Sequence, residues 1–112
     1  MNDKVKMTVV LPELLQKELQ QKVIDDGYGM RGKSKWLEEA IISFFAIDNY
    51  INLVEIGNEM KGFSKMETFV VDREIKKALE KAVILVKEKH HMIEGVQSRI
   101  IRTSILQRLL RS

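Results

Sequence analysis

Lys6-Met7-Thr8-Val9-Val10-Leu11-Pro12 returns in altered form sixty positions later, as Met66-Glu67-Thr68-Phe69-Val70-Val71-Asp72. In the first copy Met7, Val9 and Leu11 fall on one face of a strand, and Lys6, Thr8 and Val10 on the other. In the second, Phe69 and Val71 take the places of Val9 and Leu11, while Thr68 and Val70 match Thr8 and Val10. A lone strand cannot satisfy its own backbone donors and acceptors, so two copies in one chain are expected to pair with each other. The product is a two-stranded ribbon of a width that fits the major groove of DNA.

Each strand leads into a helical pattern, a turn and a second helical pattern. Pro12 is expected in the first turn of the first helix, where its missing N–H costs nothing. Leu15, Leu19 and Val23 then recur at i, i+4 and i+8, with Leu14 and Lys22 on the flanks. Asp25-Asp26-Gly27-Tyr28-Gly29 breaks the pattern. A second helix starts near Gly32-Lys33-Ser34 and carries Trp36, Leu37, Ala40, Ile41, Phe44 and Phe45, the candidate centre of the core. In the second copy the first helix carries Ile75, Ala78, Leu79, Ala82, Val83 and Val86 and runs to about Lys89. Gly95 marks the turn. The last helix sets Ile100, Ile101, Ser104, Ile105, Leu109 and Leu110 against Trp36, Leu37, Ala40, Ile41, Phe45 and Ala46. The offset is 60 in the strands and 64 in these helices, so four extra residues, about one helical turn, are expected in the first helix of the second copy. The reading is one compact domain over 1–112, built of a first module at 4–46, a connector at 47–63 that could form a short helix, and a second module at 64–112.

At 112 residues, either half alone is too small for a comfortable core. Hydrophobic residues at 45% argue against general disorder, and the absence of cysteine removes disulfides and thiolate metal sites. Residues 1–52 hold seven Lys/Arg against eight Asp/Glu, a balance of −1. Residues 53–112 hold twelve against eight, a balance of +4, which together recover the net +3. Such a charge permits phosphate binding without demanding it. Asp3, Lys4 and Lys6 near the start and the lack of a long apolar run speak against a signal peptide or membrane span, so a cytoplasmic location is expected.

The strand with its lysine-x-threonine spacing and following proline, and the second-helix stretches Gly32-Lys33-Ser34-Lys35-Trp36-Leu37-Glu38-Glu39-Ala40-Ile41 and Gly95-Val96-Gln97-Ser98-Arg99-Ile100-Ile101-Arg102, carry a resemblance. Each half resembles a module of the ribbon-helix-helix DNA-binding superfamily, similar to methionine-repressor and Arc-type repressors and, as a tandem, to accessory proteins of plasmid conjugation. The resemblance covers most of the chain except 47–63. It implies a mainly α fold with a two-stranded antiparallel β-ribbon, formed by two modules as an intrachain pseudo-dimer. It implies base contacts in the major groove from Lys6, Thr8 and Val10 and from Met66, Thr68 and Val70. Lysine can reach guanine O6/N7, threonine can donate or accept, and valine can pack on a thymine methyl. It also implies phosphate contacts at the second-helix N-termini, from Gly32, Lys33, Ser34 and Lys35 and from Gln97, Ser98 and Arg99. Plain alternatives stay open: Val10 and Val70 as strand-favouring residues, Lys6 and Thr8 as a solvated strand face, and the helix starts as ordinary caps.

Two departures from the family pattern stand out. Met66 replaces the ribbon lysine, and Glu67 falls on the inward face where an apolar residue is usual; Lys65 could compensate for the lost charge, but on the other face. An asymmetric DNA site is therefore expected. His90 and His91, with Glu94 nearby, read as solvated residues at a helix end rather than a metal site. The sequence has no serine–histidine–aspartate constellation, phosphate-cradling glycine loop or H-E-x-x-H, so neither catalysis nor a cofactor is expected. The expected function is sequence-specific binding of double-stranded DNA as a transcriptional repressor or regulator, with further self-association on DNA left open. A plasmid conjugation (relaxosome) accessory role is the alternative. A helical protein-interaction module whose ribbon pairs with another protein's edge strand is the competing class. Its antitoxin variant is disfavoured, because the sequence ends inside the last helix pattern.

Overall fold

The computed structural model of the chain describes residues 3–29, 31–56, 64–92 and 94–111. It is mostly helical, with five helices and one two-stranded antiparallel sheet: β1 (Lys4–Pro12), α1 (Glu13–Asp25), α2 (Lys33–Phe45), α3 (Tyr50–Ile56), β2 (Ser64–Asp72), α4 (Arg73–Lys89) and α5 (Val96–Arg111). The strands pair along their whole length, with Lys4 opposite Asp72, Lys6 opposite Val70, Thr8 opposite Thr68 and Val10 opposite Met66.

Period-2 alternation decides what each strand buries. Met7, Val9, Leu11, Phe69 and Val71 point into the core, and the intervening residues face solvent. Glu67 joins the inward row. A two-stranded ribbon is marginal by itself and needs a packed face. Here that face rests on the helices, where Leu15, Leu19 and Val23 of α1 and Leu79, Ala82 and Val86 of α4 supply the apolar stripes.

α2 and α5 pack against each other at the centre. Trp36, Leu37, Ala40, Ile41 and Phe44 from α2 meet the layer that contains Ile100, Ile101, Ser104 and Ile105 from α5. Ser104 is buried without penalty because its hydroxyl donates to the carbonyl of Ile100 at 2.7 Å. The Trp36 indole N–H donates to Asp26 at 2.9 Å, and the Arg108 guanidinium stacks on the same ring, 4.5 Å from its centroid.

α1 has 13 residues and α4 has 17, so the four extra residues do lengthen the first helix of the second half. α3 lies inside the connector, with Val54 buried against the core; residues 57–63 of that connector fall outside the described residues. Gly95 takes a left-handed backbone, φ 60°, and opens α5. Gly32 is glycine for another reason: a Cβ there would collide with the backbone of Tyr28.

One expectation changes. Pro12 is not in the first turn of α1. It is the extended residue just before it, φ −60° and ψ 147°, and still belongs to the strand opposite Ser64. Leu110 is 73% exposed, because the last turn of α5 runs past the core. No helix among the described residues is long and apolar enough to cross a membrane.

Candidate nucleic-acid interface

The ladder geometry explains why the six ribbon residues share one face. In an antiparallel pair, directly opposed residues alternate between hydrogen-bonded pairs and closer, non-hydrogen-bonded pairs whose own N–H and C=O groups point away from the partner strand. The pairs Lys4–Asp72, Lys6–Val70, Thr8–Thr68 and Val10–Met66 are of the second kind: the Val70 and Asp72 N–H groups and the Val10 carbonyl are taken by helix side chains instead. All six expected base-reading residues stand on the outer face. Thr8 and Thr68 meet at its middle, their hydroxyls 3.5 Å apart. Val10 and Val70 are 37% and 40% exposed and Met66 is 70% exposed, an apolar content unusual for a solvated strand face. Lys6 is the one ionic side chain between the Lys4–Asp72 pair and Met66 on that face.

Both outer edges of the ribbon are held by the long central helices. Ser34 accepts from the Val70 N–H at 3.0 Å, and Glu38, one turn further along α2, accepts from the Asp72 N–H at 2.8 Å. On the other edge Arg102 of α5 donates to the Val10 carbonyl at 3.2 Å. Burial first, then the neighbouring Arg99, push the Arg102 pKa down from its ordinary value. The ribbon end is closed by Lys4 and Asp72, 2.8 Å apart, and that hydrogen bond above all pushes the Lys4 pKa up. These edge contacts join residues 34 to 92 positions apart in the chain. Their one sequence signal is Ser34 and Glu38, polar residues one turn apart on α2.

The expected phosphate residues divide. Around the start of α2, Lys35 and Arg31 join Lys4, Ser34, Glu38 and Val70 in lining a shallow hollow at the β2 edge; Lys4 is engaged by Asp72, and Lys35 and Arg31 place their cations beside the first N–H groups of α2. Gly32 closes the turn into α2, its carbonyl accepting from the Trp36 N–H at 3.0 Å. Lys33 differs from expectation. It turns inward and pairs with Glu67 at 2.5 Å, so its charge is already engaged. Glu67 also accepts from Gln16 at 2.6 Å and Gln20 at 3.5 Å. Burial pushes the Glu67 carboxyl up, but Lys33 and the two glutamines outweigh it and hold the group below its ordinary value. The inward phase of Glu67 was readable from the strand alternation; the partners that it takes there were not. At the start of α5, Gln97 accepts from Lys76 of α4 at 3.1 Å, and Arg99 donates to the Glu94 carbonyl at 2.8 Å. Ser98 lies beside them, half-buried in the first turn.

The arrangement therefore offers a narrow outward face of mixed hydrogen-bonding and apolar groups, flanked by two helix starts that carry cations. Such a face can enter a groove while its flanks meet the backbone. No protein-family model, curated protein or solved structure matches the chain.

Proposed function

We propose that this chain is a sequence-specific double-stranded DNA-binding protein of the ribbon-helix-helix type, acting as a transcriptional repressor or regulator. Its two modules are fused so that the ribbon forms within one polypeptide, an intrachain pseudo-dimer. The observation that carries the reading is the gathering of Lys6, Thr8, Val10, Met66, Thr68 and Val70 on one exposed ribbon face. The strand repeat spaces equivalent residues sixty apart, and the register brings one such pair, Thr8 and Thr68, directly opposite each other. A local two-fold axis through that pair relates Lys6 to Met66 and Val10 to Val70, as a pseudo-dimer requires. The phosphate-facing groups are Lys35 and Arg31 at the start of α2, and Ser98 and Arg99 at the start of α5.

The ribbon edges weigh against the competing interaction module. An added strand would need the outward backbone groups of Val70, Asp72 and Val10, and Ser34, Glu38 and Arg102 already occupy them. Repression and service as a plasmid conjugation accessory factor both use the same binding act; a footprint over a promoter or over a transfer origin separates them.

Gel retardation with a random-sequence duplex pool tests the reading. With four phosphates neutralised, affinity should fall about a hundredfold between 50 and 200 mM salt. Changing Lys6→Ala together with Thr8→Ala should abolish preference for a selected site and leave the helical circular dichroism intact. Unchanged discrimination would remove the ribbon from the mechanism.

A further inference from the structure

The two ends of the outer ribbon face carry different chemistry, and the difference is confined to one pair of positions. On one side of Thr8–Thr68 stand Lys6 and Val70; on the other stand Met66 and Val10. The two valines are almost equally exposed, so they make the sides alike, whereas Lys6 and Met66 make them unlike. Lys65 does not restore the missing cation. It sits opposite Leu11, in the opposite phase of the alternation from Met66.

We infer that the two halves of the DNA target differ in base composition: a guanine faces Lys6, and an A·T pair presenting its thymine methyl faces Met66. This rests on the DNA-binding reading above and specifies its ligand. Lysine brings three donors to a base edge, and in the major groove guanine O6 and N7 are the paired acceptors that suit a cation. Methionine brings none. Set against guanine, its thioether would cover O6 and N7 and leave them without the water that they lose, a penalty no contact offsets. Set against thymine, it covers a methyl group and gains by burying it. Guanine is thus selected at one end, and at the other it is selected against.

The register also fixes the spacing. From the Lys6–Val70 pair to the Met66–Val10 pair is four residues along each strand. At about 3.4 Å per residue that is roughly 14 Å. DNA rises about 3.4 Å per base pair, so the two discriminating positions lie about four base-pair steps apart. The target is short, and it is not a palindrome.

The test is selection of bound duplexes from a random pool, run in parallel on the wild type, Met66→Lys and Lys6→Met, with folding checked by circular dichroism. Both changed side chains project into solvent, so the core is untouched. Wild type should enrich guanine in one half and A·T in the other. Met66→Lys should enrich guanine in both halves, giving a near-palindrome, and Lys6→Met should enrich A·T in both. Replacing the Met66-facing thymine by uracil, which lacks the methyl, should weaken wild-type binding about fourfold, the loss expected for one exposed methyl group. A wild-type site with guanine in both halves, or a Met66→Lys site unchanged from wild type, overturns the inference and leaves DNA binding standing. A pool that enriches no sequence for the wild type removes the DNA-binding reading itself.

Discussion

β1 and β2 differ in their inward rows as well as on their outer faces. Sixty residues apart in the sequence, Met7 and Glu67 occupy the same place in the inward row, one a buried thioether and the other a buried carboxylate. Around Glu67, α1 supplies Gln16 and Gln20 and the start of α2 supplies Lys33. At the positions that the repeat aligns with Gln16 and Lys33, α4 supplies Lys76 and α5 supplies Gln97, which bond directly to each other at 3.1 Å. One half therefore holds an ionic cluster around Glu67, whereas the other has a lysine–amide bridge at the equivalent helix positions and an apolar Met7 in its strand. The same backbone plan tolerates both. A buried ion pair adds little net stability, but losing one partner is costly. Its consequence here is discrimination: Glu67 suits only the corner that holds Lys33, so β2 and β1 are not interchangeable against α1 and α2.

The largest effect expected from breaking either side lies deeper, in the core that the corners cover. Trp36→Ala should cost on the order of 3–5 kcal/mol, since the ring is fully buried and carries both the Asp26 hydrogen bond and the stacked Arg108. Urea unfolding measures this, and a loss below about 1 kcal/mol would contradict the central place given to α2.

Next comes the ionic corner itself. Lys33→Ala leaves Glu67 buried with only glutamine donors and should cost about 1–3 kcal/mol, less than a fully enclosed pair because the lysine is 33% exposed. Replacing the ion pair by the residues that the other half holds at those two positions, with Glu67→Met and Lys33→Gln together, should restore stability to within about 1 kcal/mol of wild type. A double variant as unstable as Lys33→Ala would mean that the two corners are not alternatives.

The smallest effect is in the acid range. Because the folded Glu67 carboxyl sits below its ordinary value of 4.5, its contribution is present above pH 4.5 and lost as the pH falls through the folded value. Wild type should therefore lose stability more steeply below pH 4.5 than the Glu67→Met, Lys33→Gln double variant. Parallel acid slopes in thermal melts would contradict the ionic description of this corner.

Local periodicity made the strands, the longer α4 and the outward set of ribbon residues readable. Thr8, Val10, Thr68 and Val70 follow directly from alternation, and the four-residue difference in repeat offset located the extra helical turn. What failed to read were contacts set by distant segments. Lys33 looked like a phosphate ligand because its place at a helix start is local information; its engagement with Glu67, 34 residues away, is not. Leu110, aligned with Ala46, is exposed as Ala46 is: both lie past the stretch that another element covers, and hydrophobic type alone does not say where a helix leaves its neighbours. Arg108, aligned with the buried Phe44, instead lays its guanidinium on Trp36, a substitution that no helical period signals.

The claim on which the functional account depends is that the outer ribbon face lies in the major groove. Methylation interference on a selected duplex tests it most directly, because N7-methylguanine blocks the major groove and N3-methyladenine the minor. The expected result is loss of binding when the single guanine facing Lys6 is methylated at N7, with binding unaffected by minor-groove methylation. Interference from N3-methyladenine alone, with N7-methylguanine tolerated throughout the site, would contradict it.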